Sequence, residues 1–340
     1  MVRGMDMKRK LRLLILALLL VTFPAGNAAA IKIKIATLSP EGSVWMEKMR
    51  AGAEEIATLT EQRVVFRYYP GGVMGSDAAV LRKIRIGQLH GGALVAGSMA
   101  TTYRDSQVYA LPFAFRSFDE VDFVRREIDP IILKGFEEGG MVTFGLADGG
   151  FAYVMSNSPI RTVRELRNKK VWIPDNDSTA VAAVKAFDVT PIPLPLSDVR
   201  AGLQTGLIDT ITTSPIGALV LQWHTQVKYV MDVPFLYLYG IMAINKRTFD
   251  KLSPGDQQVV RTVMGNVFRE IGEKNREDNA KALAALKKQG IQFIHPPAES
   301  IREWRQIAAT LPEKLISDGR LSREMVDRLQ SLLKQYRSAN

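Results

Sequence analysis

Few residues of this 340-residue chain are spaced as a catalytic centre would need them. Cysteine is absent, which removes disulfides, thiolate nucleophiles and zinc–thiolate centres together. Of the three histidines, His90 follows a glycine turn, His224 lies in a Gln-Trp-His-Thr stretch and His295 closes an apolar run. None sits in an HExxH, GxSxG or SxxK pattern, so no nucleophile is paired with a base and each histidine reads as structural. Asp175 and Asp177 flank Asn176 like the start of a calcium loop, but the rest of such a loop is missing and a helix-capping loop is the better reading. The run Pro70-Gly71-Gly72-Val73-Met74-Gly75 lacks the Lys-Ser/Thr of a phosphate cradle and reads as a strand-to-helix turn. Neither a metal nor an organic cofactor is expected, and the chain reads as a non-enzyme.

What the chain does carry is polar and aromatic residues at strand ends, which is the equipment of a binding cleft. Ser39, Glu41 and Trp45 stand at the first strand-to-helix turn, and Ser98 ends a later strand. Phe151, Tyr153, Trp172, Asp175, Asn176, Thr212, Thr213 and Ser214 stand at strand ends in the second half. These twelve are the candidate solute-binding residues.

Two units position them. An amphipathic helix, a glycine, one aliphatic and a strand recur around Gly87 and again around Gly206, the strands ending in Ala96-Gly97-Ser98 and Thr212-Thr213-Ser214. The glycine supplies the left-handed residue that ends a helix. The strand then points small hydroxyl-bearing residues past its C-terminal end, where ligands of open α/β sheets sit. Two such units predict an α/β fold of two similar lobes with a cleft between them. Lobe I takes residues 31–150 plus about 240–275, lobe II residues 151–239 plus about 276–320, and residues 321–340 form a C-terminal helix. Asp148-Gly149-Gly150 is read as a break between strands 141–146 and 151–155, and residues 229–245 as one long strand returning to lobe I. Ser253-Pro254-Gly255-Asp256 opens a helix that nothing breaks before Gly290. About 36 residues at 1.5 Å each give roughly 54 Å, enough to cross both lobes.

The ends and the charge bound the setting. Arg3, Lys8, Arg9, Lys10 and Arg12 precede an apolar run over residues 13–23, too short to span a bilayer, and Ala28-Ala29-Ala30 offers a cleavage site. This predicts an export signal cut after Ala30 and a periplasmic protein. Removing it takes five cations and one acid from 45 and 35, leaving 40 against 34, with Lys and Arg spread along the chain. That balance gives no nucleic-acid footprint.

Leu196-Ser197-Asp198-Val199 with Leu203-Gln204-Thr205-Gly206-Leu207-Ile208-Asp209, preceded by a Lys-Val-x-Ile-Pro strand, resembles the DctP-type solute-binding subunit of tripartite ATP-independent periplasmic (TRAP) transporters. Ala36-Thr37-Leu38-Ser39-Pro40, Met74-Gly75-Ser76, Leu111-Pro112-Phe113 and Lys228-Tyr229 extend the resemblance over nearly the whole chain after residue 30. It implies a two-lobed binding protein, with a long helix across both lobes, that closes on a small organic solute and delivers it to a TRAP membrane permease.

The departures from the family pattern bear on the ligand. The family usually carries an arginine at the third position of that Lys-Val-x-Ile-Pro strand, paired with the substrate's carboxylate; here Trp172 stands there. Another arginine is common in the preceding strand, where Phe151-Ala152-Tyr153 is found, and a polar Asp-Gly-x-Glu-Asn-Pro segment is replaced by Asp209-Thr210-Ile211-Thr212-Thr213-Ser214-Pro215. A charge-assisted hydrogen bond is worth about 1.5–3 kcal/mol, so losing the guanidinium argues against a dicarboxylate or sugar acid bound in the usual way. An indole offers a flat apolar face and one N–H donor. The expected ligand is therefore more apolar or aromatic, or a carboxylate held by hydroxyls and backbone N–H groups, with Arg82, Arg104 and Arg116 as substitutes for the missing cation. A ligand sensor serving a signalling partner is the alternative use of such a cleft. An exported hydrolase is disfavoured because no nucleophile–base pair is visible.

Overall fold

The computed structural model describes residues 30–339, so the expected signal lies outside the described residues save for Ala30. Among the described residues there are eleven strands: β1 (Ile31–Thr37), β2 (Val64–Tyr69), β3 (Gly91–Val95), β4 (Met141–Thr143), β5 (Ala147–Ser156), β6 (Trp172–Pro174), β7 (Ile192–Leu194), β8 (Thr210–Thr213), β9 (Tyr229–Met231), β10 (Leu236–Asn245) and β11 (Gln292–Ile294). Nine form a mixed sheet in the order β11-β9-β5-β10-β3-β1-β2, with β4 on β10 and β8 on β5. The remaining two, β6 and β7, pair in parallel and join β8 through a Val171–Thr210 bridge.

Strand β5 links the halves of the molecule. Its first part pairs antiparallel with β10, and its last residues pair with β8 and β9. Because side chains alternate faces along a strand, the adjacent Val154 and Met155 enter two cores of lobe II, while Ala147 and Phe151, four residues apart, enter two different cores of lobe I because the strand is irregular between them. The expected break at Asp148-Gly149-Gly150 is instead an irregularity inside β5. Gly150 adopts φ +84°, and the pairing with β10 shifts between Leu238 and Tyr239. A glycine with positive φ absorbs the extra residue without ending the ladder. The expected single strand over residues 229–245 is two, β9 and β10, parted near Pro234, which has no N–H to give a ladder.

Both repeat units keep the helix, the glycine and the buried aliphatic, but β3 ends at Val95 and Ser98 lies in the 3-10 turn Ala96–Met99, not at the strand end, while Ser214 follows β8 as a helix cap. Helices Asp77–Arg85 and Val199–Gln204 are followed by Gly87 (φ +75°) and Gly206 (φ +69°), and the aliphatic residues beyond them, Leu89 and Ile208, are fully buried. The helix Pro254–Lys288 runs 35 residues, capped by Ser253, whose side chain accepts from Asp256 N. Its apolar stripe from Val260 to Ile271 packs in lobe I and Leu286 packs in lobe II. Between them, where the helix passes the lobe junction, the buried positions turn polar at Asn275 and Asn279. Asn275 donates to Asp148 O and Asn279 to Gly149 O, while Ile216 N donates to Asn279 Oδ1. The helix Ala298–Ser317 returns from a core holding Trp304 to one holding Leu311 and Leu315, where the last helix, Arg323–Ala339, also packs through Val326 and Leu329. No helix among the described residues is long and apolar enough to cross a membrane.

Candidate solute-binding cleft

A cavity of about 540 Å³ lies where the two repeat units converge. The first unit contributes the end of β3 and the turn after it, Ala93 to Gly97; the second contributes Thr212, Thr213 and Ser214. The loop after β1 adds Ser39, the helix Val44–Leu59 adds Trp45, β6 adds Trp172, and β10 forms a wall that includes Tyr237 and Tyr239. Val95 and Val220, both partly open to solvent, line the same space. An exposed aliphatic in a concave site is surface that a ligand can desolvate.

Several lining side chains are fixed by contacts away from the cavity. Trp45 packs edge-on against Phe268 with ring centroids 5.6 Å apart, and its ring lies over Gly240, where a Cβ would fall 2.6 Å from Cη2. Tyr239 donates its hydroxyl to Ser106 O, and the Tyr237 hydroxyl accepts from Arg125. Trp172 donates its indole N–H to Leu194 O across the β6–β7 pair and packs edge-on against Trp223 at 5.3 Å. The donor expected to be free for a ligand is thus used by the protein, leaving Trp172 as an apolar wall. Ser214 caps the helix Pro215–Val220, accepting from Gly217 N.

Six of the twelve candidates line the cavity: Ser39, Trp45, Trp172, Thr212, Thr213 and Ser214. The other six lie off the lining. Glu41 is exposed and paired with Arg50, which holds its carboxyl below the usual range. Ser98 is buried and donates to Asp77 Oδ2. Phe151 packs between Phe118 and Tyr237 in the lobe I core, and Tyr153 packs beside it. Asp175 and Asn176 are exposed on their loop. Alternation explains part of this: only one face of β5 can meet the cleft, and Phe151 and Tyr153 share the other.

Sequence reading missed the two carboxylates that do line the cavity beside the β3 end. Asp77, the first residue of its helix, accepts from Val95 N and Ser98 Oγ. Burial is the main cause that raises its carboxyl to about 6, and the nearby Asp175 adds to it. Asp177 caps the helix Ser178–Ala186 by accepting from Ala180 N, and burial raises its carboxyl too. Asp177 was visible only as part of a helix-capping loop, and nothing in the spacing of 100 residues brings it together with Asp77. Asp278, on the long helix, is the third lining acid and is paired with Lys274. No Lys, Arg or His lines the cavity among the described residues; Arg82, Arg104 and Arg116 are exposed elsewhere. The histidines are structural where bonded: His90 Nδ1 accepts from Lys34 N, and His224 Nδ1 pairs with Ala218 O.

The comparisons with known proteins agree with this architecture. Residues 35–318 match the model of the family DctP, bacterial extracellular solute-binding protein, family 7. The sialic acid-binding periplasmic protein SiaP of Vibrio cholerae is 22% identical over 298 residues, covering 86% of this chain and 91% of that protein. The crystal structure of a TRAP periplasmic solute-binding protein from Sulfitobacter sp. NAS-14.1 with bound β-D-galacturonate superposes with a TM-score of 0.80 at 22% identity, over 89% of this chain and 99% of that one. A second, from Desulfovibrio salexigens with bound orotic acid, gives 0.82 at 15% identity over 90% and 99%. With a two-lobed α/β fold, a long helix across both lobes and a cleft at their junction, this chain belongs to the family 7 extracellular solute-binding proteins, which bind and do not turn over their solutes.

Proposed function

We propose that this chain is the periplasmic receptor of a TRAP-type transporter, that its solute is apolar or aromatic, and that it passes the solute to a membrane permease. The carrying observation is the cavity lining: aromatic and aliphatic walls with three aspartates and no cationic side chain among the described residues. The named relatives hold sialic acid, galacturonate and orotic acid. A carboxylate buried here would meet like charge and no guanidinium, at a cost of several kcal/mol. That argues against the second form of the expectation, an acid held by hydroxyls and backbone N–H groups alone. The moving bodies are residues 31–150 plus about 240–275 and residues 151–239 plus about 276–320, with Thr212 to Ser214 on one and Ser39 and Trp45 on the other. The export signal is cut after Ala30.

The test is a thermal-shift screen of the exported protein against aromatic and aliphatic solutes alongside sugar acids and dicarboxylates. A solute at 100 times its Kd adds about 2.7 kcal/mol and raises the melting temperature by several degrees. An aromatic or apolar hit supports the reading; hits confined to sugar acids or dicarboxylates overturn it. Edman sequencing of the exported protein should begin at Ile31.

A further inference from the structure

We propose that the solute carries a cationic nitrogen, held between the carboxylates of Asp77 and Asp177 against the aromatic wall of the cleft. This deepens the receptor reading and rests on it. The two acids come from different lobes and flank the same turn. Asp77 Oδ2 accepts from Val95 N and Ser98 Oγ on either side of Gly97. Asp177 Oδ2 lies so close to Gly97 that a Cβ there would stand 2.3 Å from it. Gly97 therefore lets Asp177 approach the turn that Asp77 holds.

Asp77 is buried and Asp177 is partly buried. Asp77 is 6% exposed, and both of its side-chain hydrogen bonds use Oδ2. Asp177 spends Oδ1 on Ala180 N. Helix capping accounts for one oxygen of Asp177, but not for a second buried carboxylate 100 residues away that opens on the same cavity. No cation of the lining neutralises either: Asp278 has Lys274, and Arg320 acts on Asp177 only from outside the lining. Carboxylates with no cation in the lining beside them raise the potential for a cation and repel an anion. The walls add to this, because Trp45, Trp172, Tyr237 and Tyr239 offer aromatic surface, and an ammonium is attracted to aromatic faces when desolvated. Thr212 and Thr213 line the same cavity and bring hydroxyl-bearing side chains to it.

The experiment is calorimetry on protein exported from the full chain, with three matched probe sets: tryptamine and 2-phenylethylamine, tryptophol and 2-phenylethanol, and indole-3-acetate and phenylacetate. At pH 7.5 the amines are expected to bind at least about tenfold more tightly than the alcohols, a difference of about 1.4 kcal/mol, and the acids not to bind. Asp77→Asn and Asp177→Asn should each cost the amines about tenfold while leaving the alcohols within threefold, since asparagine keeps an acceptor oxygen for the bonds from Val95 N and Ser98 Oγ and for the cap on Ala180 N. Equal or tighter binding of alcohols or acids by the unaltered protein overturns the cationic solute and leaves the receptor reading standing. Binding of none of the three sets, with a sugar acid or dicarboxylate bound instead, overturns both. The comparison on the unaltered protein decides the question even if a variant fails to fold.

Discussion

Replacing Arg276 with methionine tests how the lobe junction is held. Arg276 projects from the long helix and pairs with Asp148 of β5 and with Asp122 of the helix Phe118–Glu138, its guanidinium 4.6 Å from the Phe118 ring centre. Asp122 is half exposed, so that pair alone adds little. Asp148 is different, with its side chain only 3% exposed. Burial already pushes its carboxyl above the usual range, and Arg276 is the main influence holding it down. Removing one partner of a buried pair leaves an uncompensated charge and costs about 3–5 kcal/mol. At roughly 2–4 °C per kcal/mol for a chain of this size, the melting temperature at pH 8 should fall by about 6–20 °C. Methionine keeps the volume, which separates the charge effect from a cavity. The sign follows from linkage. A carboxyl whose folded value is raised destabilises the fold at pH above that value, and the deficit vanishes as pH falls toward its unfolded value. The gap between the two proteins should therefore be widest at pH 8 and shrink on going to pH 5, read by calorimetric melting across that range. A gap below about 1 kcal/mol, or one independent of pH, would falsify the assignment of Arg276 as the counter-charge of the junction.

Gly240→Ala should push the Trp45 ring off β10, costing about 1–3 kcal/mol by overpacking and weakening solute affinity; denaturant melts and tryptophan fluorescence report the two effects. In Trp172→Arg, the loss of a buried indole and its bond to Leu194 O should cost about 2–5 kcal/mol. The same change should weaken the native solute tenfold or more by calorimetry, and unchanged affinity would sink Trp172 as a wall of the site. Gly87→Ala and Gly206→Ala force a Cβ into positive φ and should each destabilise by about 1–2 kcal/mol. Gly265→Ala, in the long helix with its nearest neighbour 3.4 Å away, should stabilise by up to about 0.5–1 kcal/mol; urea unfolding distinguishes the signs.

Local rules carried much of the fold. Glycine at a helix end, serine at a helix start and proline at the first helical turn act within a few residues of themselves, so both repeat units and the long helix were legible from Gly87, Gly206 and Ser253-Pro254. The errors came where two chain segments had to meet. Asp148-Gly149-Gly150 looks like a stop until β10 is laid beside it and Asn279 reaches Gly149, which turns the same residues into an irregularity inside a continuing strand. Phe151 and Tyr153 were grouped with the cleft because their strand leads to it, yet the pleat directs them into the core.

The amino-acid sequence by itself determined the class: a chain without thiols or paired catalytic groups, folded as two lobes that meet where small hydroxyl residues end their strands. It also showed that an arginine expected at the Trp172 position is missing. Only the tertiary structure decided what the cleft offers in its place. Asp77 and Asp177 are separated by 100 positions and serve ordinary helix starts, and no local pattern distinguishes them from any other capping acid. Packing the two lobes brings both carboxylates to one cavity beside Gly97 and ties the Trp172 donor to Leu194, because burial and partner choice are properties of distant segments brought together.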